Sequence, residues 1–263
     1  MAPKLKFMNQ TFNFSRFLKY ASYQFGMHKK IISLGVAGAF SVLILFLVLI
    51  LSAQNTWMLD EWRNTFFILF SVSSCLIIGH AFPYYRQKEK AISTIMLPAS
   101  VFEKFISEYV VRIVLYTLIF PILFTLAAKL STPFATLINP QATITSFNLS
   151  SIFEIQTNAE FLLTLLPLLY FTSSAFLFAG SAAFNKYPLV KTMIFLAVVL
   201  TLGVGYFYIL IEKLSLGNGI AYWVKSSLIS SEENALNALY VILLVFISST
   251  LTYAFFKLKE KEI

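Results

Sequence analysis

A chain of 263 residues with two histidines and one cysteine has few groups with which to do chemistry. His28 and His80 belong to no HExxH pair that could hold zinc, and Cys75 alone builds neither a disulfide nor a thiolate cluster. Glu232-Glu233 is a double acid with no histidine nearby in sequence. Gly180-Ser181 lacks the G-x-S-x-G surroundings of a nucleophile elbow, and no G-x-x-x-x-G-K-[ST] loop is present to cradle a nucleotide. No catalytic residue, no metal site and no cofactor bound by this chain is therefore expected. The ionisable groups that stand out lie within apolar runs, where charge is costly and by default functional. Glu108 and Arg112 are four apart, acid first, on one helix face. His80 precedes Arg86 by two helical turns or less, so adjacent antiparallel helices could gather His80, Glu108 and Arg112 into a polar cluster. A Glu108–Arg112 pair that neutralises itself for structural reasons is the competing reading.

The second chemical feature is the segment Arg86–Lys104, longer than two neighbouring helices need as a connection. Its first part places Ala91, Ile92, Ile95 and Met96 on one side of a short helix, and Leu97-Pro98 ends it, because proline disfavours helix at the residue before it. Ser100-Val101-Phe102-Glu103 then reads as a capping box, so a new helix begins at Val101. The unit is helix, proline, capped helix, with charge exposed and an apolar side.

These residues must be positioned by elements suited to a particular solvent. Hydrophobic residues make up 58% of the chain and charged ones 12%, half the charge of a soluble domain at about 25%. The mean hydropathy is +0.77, so the bilayer is the solvent. A spanning helix needs about 20 apolar residues, and six stretches qualify: Ile31–Ala53, Thr65–Tyr84, Ser107–Ala128, Phe161–Phe184, Thr192–Ile211 and Leu236–Phe256. Of the twenty Lys and Arg, the outer loops hold only Arg63, Lys129, Lys213 and Lys225, and Arg112 lies within a span. The other fifteen fall on the side of the termini, which the positive-inside rule makes cytoplasmic. The net charge of +8 thus points to anionic lipid rather than nucleic acid.

Residues 1–30 form a cytoplasmic N-terminus. Phe14, Phe17, Leu18, Ala21 and Phe25 recur at helical spacing there and predict an interfacial amphipathic helix stopped at Gly26. Residues 31–256 form the six-helix domain and 257–263 a cytoplasmic tail. Among the outer loops, Gln54–Asn64 reads as a short turn and Leu130–Glu160 as irregular. Ile220, Trp223, Val224 and Leu228 suit a short helix on the outer leaflet. Pro121, Pro167 and Gly203-Val204-Gly205 are candidate hinges.

An interfacial helix, six spans and a structured loop after the second span resemble the permease subunit of an ABC-2 type exporter. The run Leu97-Pro98-Ala99-Ser100-Val101-Phe102-Glu103-Lys104-Phe105 is similar to a stretch in such permeases of Bacteroidota. The likeness implies an all-α membrane protein of the bacterial inner membrane whose loop 86–104 carries a coupling helix. It implies an ABC ATPase as partner, holding ATP-Mg that this chain does not bind, and a second permease copy giving twelve helices. Arg86, Lys88, Glu89, Lys90, Ile92 and Ile95 become the ATPase-facing positions, with Pro98, Ser100, Glu103 and Lys104 completing the coupling unit. Asn185–Lys191 would offer a weaker second contact. A secondary carrier and a non-transport membrane scaffold remain as alternatives.

Overall fold

The computed structural model describes residues 12–86, 92, 96–153, 160–209 and 232–261. Among them, six helical stretches are long and apolar enough to cross a membrane: Lys29–Ala53, Leu59–Gly79, Val101–Ile138, Thr164–Ala183, Pro188–Tyr206 and Leu236–Glu260. An all-helical membrane protein is the class they define. The expected outer-leaflet helix around Ile220–Leu228 falls outside the described residues.

Contacts divide the chain into two units, the first comprising Met1–Ile77 and Met96–Glu160. It opens with α1, Phe14–Ala53, a single 40-residue helix capped by Asn13, whose side chain accepts from the Arg16 amide. Gly26 does not stop it. Glycine ends a helix by adopting positive φ, and no described glycine does so. Within a run of helix-forming residues Gly26 costs only about 1 kcal/mol. The amphipathic stretch is thus the beginning of the same helix as the first span, not an element of its own.

Helix α2 runs Leu59–Gly79, several residues earlier than its apolar run suggests. Asp60 and Glu61 belong to its first turn, where the helix dipole favours acids, and the Glu61 carboxylate accepts from the Met58 amide at 2.6 Å. It ends before Phe82, which precedes Pro83 and adopts φ +56°. After the Pro83–Arg86 turn, the third span consists of α3 (Val101–Tyr109), a π-helical turn (Val110–Leu115) and α4 (Tyr116–Ile138). The helix passes through Pro121 and Pro133 and ends ten residues beyond the expected Ala128.

The described part of the loop after α4, residues 139–153, is tied down. Strand β1 (Thr56–Trp57) pairs in parallel with β2 (Thr143–Ile144), and the Trp62 indole N–H donates to the Thr145 carbonyl at 2.9 Å. Asn148, part of a glycosylation-like triplet, accepts from the Ser150 amide at the start of the short helix α5 (Leu149–Phe153). The core beneath is aromatic: Phe66 meets Phe124 edge-on at 5.2 Å, Phe70 stacks on Tyr116 at 5.4 Å, and Phe147 packs on Phe124 at 5.1 Å. Helix α1 packs along α4 over this core.

The second unit comprises Ile78–Ile95 and Phe161–Ile263. Its helices are α6 (Glu160–Ala183), α7 (Pro188–Tyr208, uninterrupted through Gly203 and Gly205) and α8 (Glu232–Glu260). Tyr187, at φ +51°, turns the chain sharply before Pro188 opens α7. Close approach sets this packing. A Cβ on Gly79 would stand 2.1 Å from Leu189 Cδ1, and one on Gly180 would stand 2.0 Å from Thr192 Oγ1 and 2.8 Å from Thr192 Cβ.

The two glycines should respond differently to substitution. Leu189 can swing its terminal methyl aside, whereas Thr192 is stiff at χ1 and its hydroxyl donates to the Pro188 carbonyl at 2.7 Å. Gly180→Ala is expected to cost about 1–3 kcal/mol by overpacking and Gly79→Ala less, read as thermal midpoints of the purified protein in detergent. Equal losses would contradict the assigned helix contact.

Candidate functional site

The residues that could transmit force or recognise a partner cluster at the start of the third span. Ser100 is the N-cap of α3, and the capping box is complete. The Glu103 amide donates to Ser100 Oγ at 3.2 Å, and the Ser100 amide donates to Glu103 Oε2 at 2.8 Å. Glu103 does more than close its own helix. Arg16 Nε donates to both of its oxygens, at 2.9 and 2.8 Å, and Arg16 Nη2 donates to Oε1 at 2.7 Å. The Asn13 amide, at the N-cap of α1, donates to the same Oε1 at 2.9 Å.

The Glu103 side chain is fully buried and that of Arg16 is 25% exposed. One carboxylate therefore receives backbone donors from two helix N-termini and a guanidinium fork between them. Those are the donors an anion needs to remain charged out of water. In return the hydrogen bond to Glu103 raises the Arg16 guanidinium above its ordinary range, opposed by its partial desolvation. Rings close over the joint: Phe12 meets Phe102 edge-on at 6.0 Å and Phe17 at 5.9 Å.

One turn further along, Glu108 accepts from Arg112 Nε at 2.6 Å. Arg112 lies in the π-helical turn and also donates through Nη1 to the Ile77 carbonyl at 2.8 Å. Ile77 is in the last turn of α2, where carbonyls lack intrahelical partners and a cation complements the dipole. Glu108 and Arg112 are thus brought together as a self-neutralised pair that also caps α2. His80, just past the end of α2, belongs to the second unit, whereas the pair belongs to the first.

Of the partner-facing positions expected from sequence, Lys88, Glu89, Lys90 and Ile95 lie outside the described residues. Arg86 closes the Pro83–Arg86 turn and donates through Nη2 to the Ala81 carbonyl at 2.7 Å. Nearby, burial pushes the Lys261 ammonium at the end of α8 below its usual range, with repulsion from Arg86 and Lys257 adding. Ile92 is helical and 55% exposed, Met96 is 79% exposed, and Pro98 is exposed in a bend. Glu103 and Lys104 are both buried, so neither side chain is at the surface of the chain, and Glu103 fastens the unit through its bonds to Arg16, Asn13 and Ser100. The other expected contact, Asn185–Lys191, is only partly a loop, because α7 begins at Pro188; Lys191, in the first turn of α7, places its Nζ 5.8 Å from the Phe184 ring centroid.

Arg16 and Asn13 were not singled out by sequence. Asn13 before an apolar periodic run is a recognisable N-cap signal, but nothing local announces that Arg16 meets a residue 87 positions away. Among the described residues, no group of three or more His, Cys, Asp or Glu is arranged to hold a metal ion.

Arg16→Ala and Glu103→Ala should each lower the thermal midpoint in detergent. In the double variant the loss should fall short of the sum by about 1–3 kcal/mol, the coupling of residues in one buried network. Additive losses would show that the joint does not form. Comparison with protein-family models, with curated proteins and with solved structures finds no match to this chain.

Proposed function

We propose that this chain is the membrane subunit of an ATP-driven exporter of the ABC-2 type. It performs no hydrolysis itself and takes its energy from a separate ABC ATPase that holds ATP-Mg. In this reading both termini face the cytoplasm of a bacterial cell, the inner membrane is the site of action, and a second copy completes the translocation path with twelve helices. Nucleic acid plays no part; membrane lipids do.

The observation that supports the reading best is the fastening of α3 directly after loop 86–104. Glu103 ties the first turn of α3 to the start of α1, and Arg112, in the π-helical turn after α3, ties the same span to the end of α2. A push delivered to the loop therefore reaches three helices through charge-assisted bonds rather than through a slack linker, which is what an ATPase-driven rearrangement requires. Ile92 in the second unit and Met96 and Pro98 in the first are each exposed, which leaves the loop apolar groups for a motor protein to grip.

The test is coexpression with the Walker-containing ATPase encoded nearest to this reading frame. The two should copurify, and ATP hydrolysis should rise severalfold in the complex. Ile92→Asp or Ile95→Asp should abolish that stimulation while membrane insertion is retained. Normal stimulation in both variants would remove the assigned docking surface. Failure of any ATPase to copurify, with activity surviving ATP depletion, would remove the exporter reading.

A further inference from the structure

The second unit contains a hollow of about 340 Å³ between α6, α7 and α8, within the roughly 300–1,000 Å³ range of ligand sites. Its walls include Phe176, Gly180, Phe184, Thr192, Ser249 and Tyr253. Small residues make the space: Gly180 already lies too close to Thr192 to carry a Cβ, and Ala179 and Ala183 follow the same helix edge. Ser249 and Tyr253 also border an open furrow along α8 that reaches Leu244.

The chemistry of the wall selects its occupant. Thr192, Ser249 and Thr250 carry hydroxyls, but each is spent on a carbonyl of its own helix, at 2.7, 2.9 and 2.9 Å. A polar solute would lose its water and gain little from them. Phe176 lies between Phe195 and Phe246, with ring centroids at 6.3 and 6.4 Å, so the interior is suited to an alkyl chain. The rim has the opposite character. Exposed Lys191, in the first turn of α7, stands over the lining residue Phe184, exposed Lys186 lies in the turn just before α7, and Lys257 is one turn, about 6 Å, beyond Tyr253 on α8. Lys257 is neutralised by Glu260 at 2.6 Å, which leaves Lys191 as the leading cation. No acid is among the lining residues.

We propose that this hollow binds an anionic phospholipid, with one acyl chain between α6, α7 and α8 and the phosphate on Lys191. The assignment is independent of the exporter reading, because it requires only the second unit in a bilayer.

The experiment is native mass spectrometry of the full chain titrated with phosphatidylglycerol or phosphatidylcholine. Phosphatidylglycerol should be retained about tenfold better, Lys191→Glu should erase the preference, and Ala183→Phe should abolish retention by filling the hollow. Equal retention of the two lipids, or a preference that survives Lys191→Glu, overturns the proposal. Effective competition by an uncharged alkyl compound would make the hollow a general apolar site and overturn it as well. Should Ala183→Phe fail to fold, a photoactivatable phosphatidylglycerol on the wild-type chain decides. Adducts on Phe184, Thr192 or Tyr253 support the site, and adducts confined to outward residues such as Leu202 and Val241 sink it.

Discussion

The first unit depends on one anion that has been taken out of water and fully provided for. Desolvating a carboxylate costs several kcal/mol even after relaxation, so Glu103 can stay charged only while its acceptor sites are filled. The Ser100 and Asn13 amides fill two, and the Arg16 fork supplies the countercharge. Both amides belong to helix N-caps, so the positive ends of two helix dipoles converge on the same carboxylate. The arrangement is all or nothing: if α1 begins elsewhere, Glu103 loses its cation and one of its backbone donors together. A single side chain thereby fixes where two helices begin relative to each other.

Complementary logic operates nine residues later, between two and three turns on, with the opposite sign. Arg112 is neutralised by Glu108 and donates through Nη1 to the Ile77 carbonyl at the C-terminal end of α2, which is negative. The π-helical turn at Val110–Leu115 carries this arginine. Charge therefore joins α1, α2 and α3 at one end of the unit, while stacked aromatic rings and the β1–β2 pair hold the opposite end. The second unit is built differently. Its helices approach through glycine and small residues at Gly79 and Gly180, and a hydroxyl pair, Thr164 and Tyr240 at 2.7 Å, links α6 to α8. Its inter-helix contacts are thus neutral and close-packed where those of the first unit are charged.

What was legible in the sequence follows from the range of the interactions involved. The six spans are legible because apolar length is a local property, and so are the capping box and the Glu108–Arg112 pair, whose members lie within four residues. The Arg16–Glu103 joint is not, since any of several basic residues in the first thirty could have met that carboxylate. Gly26 was misread because a glycine stops a helix only if the chain then turns, and nothing after it demands a turn. The loop beyond Ile138 looked irregular for its Ser, Thr and Asn content. Its order comes from Trp57 and Trp62, more than eighty residues earlier in the chain.

The burial of Glu103 and Lys104 also bears on how the loop before them can act. A carboxylate held by four donors is not free to bind anything else, and it makes the start of α3 stiff. Among the described residues just before α3 in the first unit, Met96 and Pro98 are exposed and apolar. An apolar contact is non-directional and scales with buried area, so by itself it would hold a partner without fixing its angle. Directional control then has to come from behind the contact. The four donors on Glu103 supply it: they fix where α3 starts relative to α1, a constraint that an apolar contact alone would not impose.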